Sequence, residues 1–154
     1  MKTVTIVLML LVLGVVALFA TRSYLSRQNP PQLGIVDGKL RPCPSSPNCV
    51  VSEGADAAHI TAPLAYRGDR ATSERALEAA LASLGNTRIQ ARNADHWHAH
   101  SVSRLFRFID DVEMRFDDAR NEVHLRSASR IGYSDMGANR KRIEALRAAY
   151  QAHP

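Results

Sequence analysis

From Thr3 to Ala20 the chain carries no charge and no proline, and Val, Leu, Ile and Met fill nearly every place. As a helix this stretch rises about 27 Å, close to the thickness of a bilayer's hydrocarbon layer. A helix that is apolar all round has nowhere to hide in a small domain, so a core helix is the weaker reading. Lys2 precedes the stretch, as a positive residue precedes the apolar run of a secretory signal. Against cleavage, Leu18-Phe19-Ala20 is a poor small-x-small site, and no cysteine follows for lipid attachment. The expectation is a retained transmembrane anchor within residues 1–27, reaching the membrane through residues 3–20, with a cleaved signal as the alternative. Arg22 and Arg27 beyond the stretch favour a cytoplasmic domain by charge alone. The Met-Lys-Thr start and the two cysteines argue for export, and the expected location is membrane-anchored on the periplasmic or other extracytoplasmic side.

Without Lys2, Arg22 and Arg27 the balance from Asn29 onward is 17 basic against 15 acidic residues. A mildly basic domain with no basic run interleaved with aromatics lacks the footprint of a nucleic-acid binder, so no nucleic acid is expected as partner. Residues 28–42 hold three prolines and two glycines and read as a linker. Residues 43–154 then form a single domain, long enough for a modest core. Asp69 or Thr72 caps a helix running to about Leu84, with Leu77, Leu81 and Leu84 on one face. A short extended piece is expected near Leu64 to Tyr66. Period-two patterning follows over 87–92, 96–103, 105–116 and 122–127, and Asp135 caps a last helix to about Gln151. The expected fold is α+β: an antiparallel sheet of about four to five strands with two helices packed on one face, behind the N-terminal hydrophobic helix.

Four places break the patterning. Asp110 falls on the parity of Phe106, Phe108, Val112, Met114 and Phe116, and a carboxylate on a core face costs several kcal/mol unless paired or protonated. Either a bulge at Ile109 to Asp111 turns it outward or it meets a partner, for which Arg126 and Arg130 are near enough, or it contacts a ligand. His96, His98 and His100 share one face of a strand, yet on a straight strand they span about 13 Å, too far for all three to hold one ion, and no metal is expected. Cys43 and Cys49 flank a proline-rich turn and suit a disulfide in an oxidising compartment, with buried free thiols as the other reading. The densest polar run leads from Arg126 to Arg142 into the last helix. Arginines and hydroxyls around a helix N-terminus suit a carboxylate or phosphate, while Ser134 and Asp135 can equally serve as caps and Arg140 can pair with Asp110 or Asp111.

Three separated blocks occur in order: Cys43-Pro to Pro47-Asn48-Cys49-Val50, Phe106 to Asp110-Asp111-Val112-Glu113, and Arg126-Ser127-Ala128-Ser129-Arg130 to Tyr133-Ser134-Asp135 and Asn139-Arg140. In these the chain resembles the domain of unknown function family 1499, found in bacteria and plastid-bearing organisms, often behind a hydrophobic segment. The likeness covers roughly Gly38 to Tyr150. It implies that the blocks belong together and assigns no activity, cofactor or catalytic residue. The family pattern has one histidine near His98, so His96 and His100 are departures.

The functional expectation is a membrane-tethered domain binding a small anionic ligand at the last strand-to-helix junction. Arg126, Arg130 and Arg140 would take the anionic group and Asp110 would orient it, with Ser127, Ser129, Tyr133, Ser134, Asp135 and Asn139 around them. One alternative is an envelope assembly or structural protein, whose protein partner the sequence does not name. The other is an enzyme with Asp110 or Asp111 as general base and Ser127, Ser129 or Tyr133 near the substrate. No nucleophile elbow, metal triad or phosphate loop is present to support the enzyme.

Overall fold

A computed structural model of the chain describes residues 2–28, 31–54 and 57–152. Helix α1 (Lys2–Gln28) is long and apolar enough to cross a membrane, and none of its apolar window is buried against protein. That exposure removes the core-helix reading. Its C-terminal part meets the rest of the chain, through the buried Ser23 and Ser26 and through Phe19, whose ring stacks on Phe106.

The main sheet is a meander of β5 (Thr87–Arg92), β6 (His96–Val102), β7 (Ile109–Asp117) and β8 (Glu122–Ser129). Two short strands share the free side of β8: β3 (Cys49–Val51) pairs with its second half and β4 (Leu64–Ala65) with its first. The expected α+β architecture is present, with six strands rather than four to five. Strands of two and three residues carry no alternation long enough to be read. A separate hairpin, β1 (Ile35–Val36) and β2 (Lys39–Leu40), lies in the proline-rich segment.

The expected strand over 105–116 begins instead at Ile109. Arg107 has φ 58, which no strand residue adopts, and Ser103 closes a turn by donating its N–H to the Phe108 carbonyl at 2.9 Å. Helix α2 (Arg70–Ser83) starts at Asp69, whose carboxylate accepts from the Thr72 N–H at 2.7 Å. Helix α3 (Ala138–Ala152) starts behind Asp135, which accepts from the Gly137 and Asn139 N–H groups. Both helices cover one face of the sheet. Leu77 and Leu81 of α2 and Ile143, Leu146 and Tyr150 of α3 bury against Trp97, Ala99, Val112, Met114, Val123 and Leu125.

The opposite face is polar and also covered. Residues 31–40 lie across it, with the Gly34 N–H donating to Glu113 at 2.7 Å and the Leu40 N–H to Glu53 at 2.9 Å. Cys43 and Cys49 form a disulfide that fixes the loop entering β3.

Candidate functional site

Where β8 runs into α3, the three sequence blocks converge. Asn139, on the first turn of α3, is fully buried and uses its whole amide. Its Nδ2 donates to the Asn48 carbonyl at 2.9 Å, to Ser129 Oγ at 3.0 Å and to Asp135 Oδ2 at 2.7 Å. Its Oδ1 accepts from Ser127 Oγ at 2.6 Å and from Arg142 Nη1 at 2.5 Å. Arg142 in turn reaches Asp110 Oδ2 at 2.6 Å. The disulfide loop, β7, β8 and α3 are thus joined through one amide and one guanidinium.

Asp110 sits on the helix-covered face, as its parity requires, without a bulge: it pairs in register with Ser101 and Ser129. Burial pushes its carboxyl above the ordinary carboxylate range, and Arg142 and Ser129 offset this only in part. Beside it opens a cavity of about 300 Å³. Asp110, Ser129, Ser134 and Asp135 supply its polar lining, and Phe108, Ile109 and Ile131 an apolar wall. Phe19 and Arg22 of α1 close the remaining side.

A second polar assembly occupies the other face of the same sheet. Asp111 accepts both Arg130 Nε and Nη2 at 2.8 Å and is also bonded to His98 Nε2 at 2.8 Å. Arg130 further reaches the Ser26 carbonyl of α1 and His100 Nε2. Glu113 meets Arg126 Nη1 at 2.8 Å and His96 Nε2 at 3.1 Å. Burial raises both carboxyls, and hydrogen bonds outweigh it, from His98 and Arg130 on Asp111 and from His96 and Gly34 on Glu113. Both therefore lie below the ordinary range. His98, His100 and Asp111 bring ligand atoms within 4.8 Å of one another, a spacing suited to a cation. The Arg130 guanidinium already stands among them as the counter-charge of Asp111.

These groups carry a pH signature. Burial lowers the pKa of His100, helped by Arg130, and burial also lowers that of His124, a buried residue of β8 on the same face as Arg126. The unfolded chain then binds protons near the ordinary value of about 6.5 more readily than the native one, so stability falls as the solution is acidified. Melting temperature is expected to drop between about pH 7.5 and 5.5, and the combined His100→Gln and His124→Gln variant should flatten that limb. A wild-type profile flat over the same range would contradict the placement.

The junction gathers part of the expected set. Asp110, Ser129, Ser134 and Asp135 line the cavity, and Ser127 and Asn139 stand behind it. Arg126 and Arg130 lie on the opposite face, engaged by Glu113 and Asp111. Arg140 spends its guanidinium on the Ala58 and Ile60 carbonyls, and Tyr133 is 76 % exposed. The partner of Asp110 is Arg142, and neither Arg126, Arg130 nor Arg140. Sequence reasoning missed Arg142, although it stands three residues after Asn139 and so shares its helix face. It also missed Phe19 and Arg22, for which no signal in the sequence linked the helix to the junction.

Residues 39–150 match the family model described as protein of unknown function (DUF1499). No curated protein and no solved structure matches the chain.

Proposed function

The chain belongs to the DUF1499 family, whose description names no activity, and from the junction cavity we propose a membrane-tethered domain that binds an anionic amphiphile. The observation that carries this reading is the composition of the cavity wall: one side is the junction and the other is α1 at the end of its apolar stretch. Phe108, Ile109, Ile131 and Phe19 suit a hydrocarbon portion, and the Ser129 and Ser134 hydroxyls with Asp110 suit a polar head. The anionic group falls to Arg22, which makes no ion pair among the described residues and stands just past Ala20. Arg126, Arg130 and Arg140 are engaged elsewhere, which moves the anion from them to α1.

Retention of α1 is part of the proposal. Cleavage after Ala20 would remove Phe19 from the cavity and from its stack on Phe106, where the ring centroids are 4.0 Å apart. The Cys43–Cys49 disulfide supports an oxidising, extracytoplasmic side for the domain. A second reading, Asp110 as general base, draws on its raised carboxyl, but the Arg142 bond to Oδ2 leaves it poorly placed to accept a substrate proton.

A photo-crosslinking residue substituted at Ile131, in the cavity wall, tests the reading in intact membranes. It should yield an adduct of acidic-lipid or fatty-acid mass, and the mass tells these sources apart. The same residue at Arg120, in the distant β7–β8 turn, should yield none. Equal labelling at both positions, or protein adducts alone at Ile131, would overturn the proposal.

A further inference from the structure

The turn between β6 and β7 places its apolar residues outward. Leu105 is 78 % exposed and Phe106 is 39 % exposed, although the turn is firmly built. Ser103 Oγ accepts from the Phe108 N–H at 3.0 Å, and Arg107 donates its N–H to the Ser103 carbonyl at 3.2 Å. It is also fastened to α1, since Ser23 Oγ donates to the Arg107 carbonyl at 3.3 Å and Phe19 stacks on Phe106. Leu105 and Phe106 share a groove with Val16, Phe19 and Ala20, residues inside the uncharged stretch that ends at Ala20. Val16 to Ala20 is one helical turn, about 6 Å along the axis. Whatever surrounds the last turn of the apolar stretch therefore also surrounds Leu105.

Charge supports the same surroundings. Arg104 and Arg107 flank the two apolar residues, Arg27 of α1 lines the same groove, and Arg22 of α1 lines the adjoining junction cavity. None of the four makes an ion pair among the described residues, and the first acidic residue of the chain is Asp37. Arginines beside exposed aliphatic and aromatic side chains match a bilayer boundary, where the guanidinium meets phosphate and the apolar part enters the acyl region.

We propose that the turn 103–108 is a membrane-docking element, inserting Leu105 and Phe106 among lipid chains beside α1 and placing Arg104 and Arg107 at the phosphates. It fixes the domain upright on its anchor, so that the junction cavity opens at the membrane surface. The inference rests on α1 being a retained membrane helix.

The test uses the full chain in bilayers of phosphatidylcholine and phosphatidylglycerol whose acyl chains carry bromine, a contact quencher of tryptophan. The native Trp97 is buried at the far end of β6 and gives a constant background. Leu105→Trp is expected to emit at shorter wavelength than a water-exposed indole and to be quenched most by bromine near the headgroup. Leu11→Trp, in the middle of the apolar stretch, should be quenched most by bromine deep in the chain. Quenching of Leu11→Trp with none of Leu105→Trp would overturn the docking element and leave the tether standing. Quenching of neither would remove the tether and the inference with it. Short-wavelength emission from Leu105→Trp without quenching would mean that protein covers the turn, and would also overturn it.

Discussion

Glu113→Leu is expected to cost about 3–5 kcal/mol of folding stability, because it leaves a buried guanidinium without its counter-charge. Glu113 is fully buried in the middle of β7 and ties three elements together. It accepts from Arg126 on β8, from His96 on β6 and from the Gly34 N–H of the covering segment. Arg126 is almost as buried, and its Nε has no hydrogen-bond partner among the described residues, so none of these stands ready to replace the lost carboxylate. For a chain of this size the loss corresponds to roughly 10 °C in melting temperature. Replacing both partners, Glu113→Leu with Arg126→Met, removes the stranded charge and should recover most of the loss. Thermal melts of the full chain in detergent decide this. A double variant no better than the single would contradict the account of the pair.

Asn139→Leu should cost about 2–4 kcal/mol, since the leucine keeps the branched shape, is somewhat larger, and satisfies none of the groups around it. The Asn48 carbonyl loses one of its two donors and keeps the Ser129 N–H, Ser127 Oγ loses its acceptor, and Arg142 loses one of the contacts that aim it at Asp110. The disulfide loop should loosen first, because the Asn48 contacts to Asn139 and to the Gly132 carbonyl hold it to the α3 side of the junction. Hydrogen exchange is expected to rise at residues 44–50 before it rises in α2. A change within about 0.5 kcal/mol, the range of an ordinary surface substitution, would mean that Asn139 is not the hub its bonds suggest.

Long periodic signals carried the helices and the meander. In α3 the spacing of Ile143, Leu146 and Tyr150 is the spacing of its buried stripe, and in β6 Trp97 and Ala99 face the core as alternation requires. The error at 105–108 has a local cause: Phe106 and Phe108 share the parity of Val112, while the break at Arg107 is a backbone angle that its residue type does not announce.

The covered polar face was hidden for another reason. Asp111, Glu113 and Arg115 alternate with apolar neighbours as an exposed face does, and their cover comes from residues 31–40, which have no periodicity to read, and from Arg130 held against the end of α1. The junction itself was visible as polar density. Which arginines belong to it was a question of parity: Ser127 and Ser129 point toward the helices, so Arg126 and Arg130 must point away. The share of α1 in the cavity had no counterpart in the sequence, because a helix read as a membrane span carries no pattern that names a protein neighbour.

The central claim is that the junction cavity, closed by α1, holds an anionic amphiphile. A native mass spectrum of the full chain, released from its membrane in mild detergent, tests it most directly when wild type is compared with Ile131→Trp, which fills the cavity. The wild type should carry an adduct of acidic-lipid or fatty-acid mass, and the variant about tenfold less, a difference of about 1.4 kcal/mol in binding. A wild type free of adduct, or one whose adduct persists undiminished in Ile131→Trp, would contradict the account.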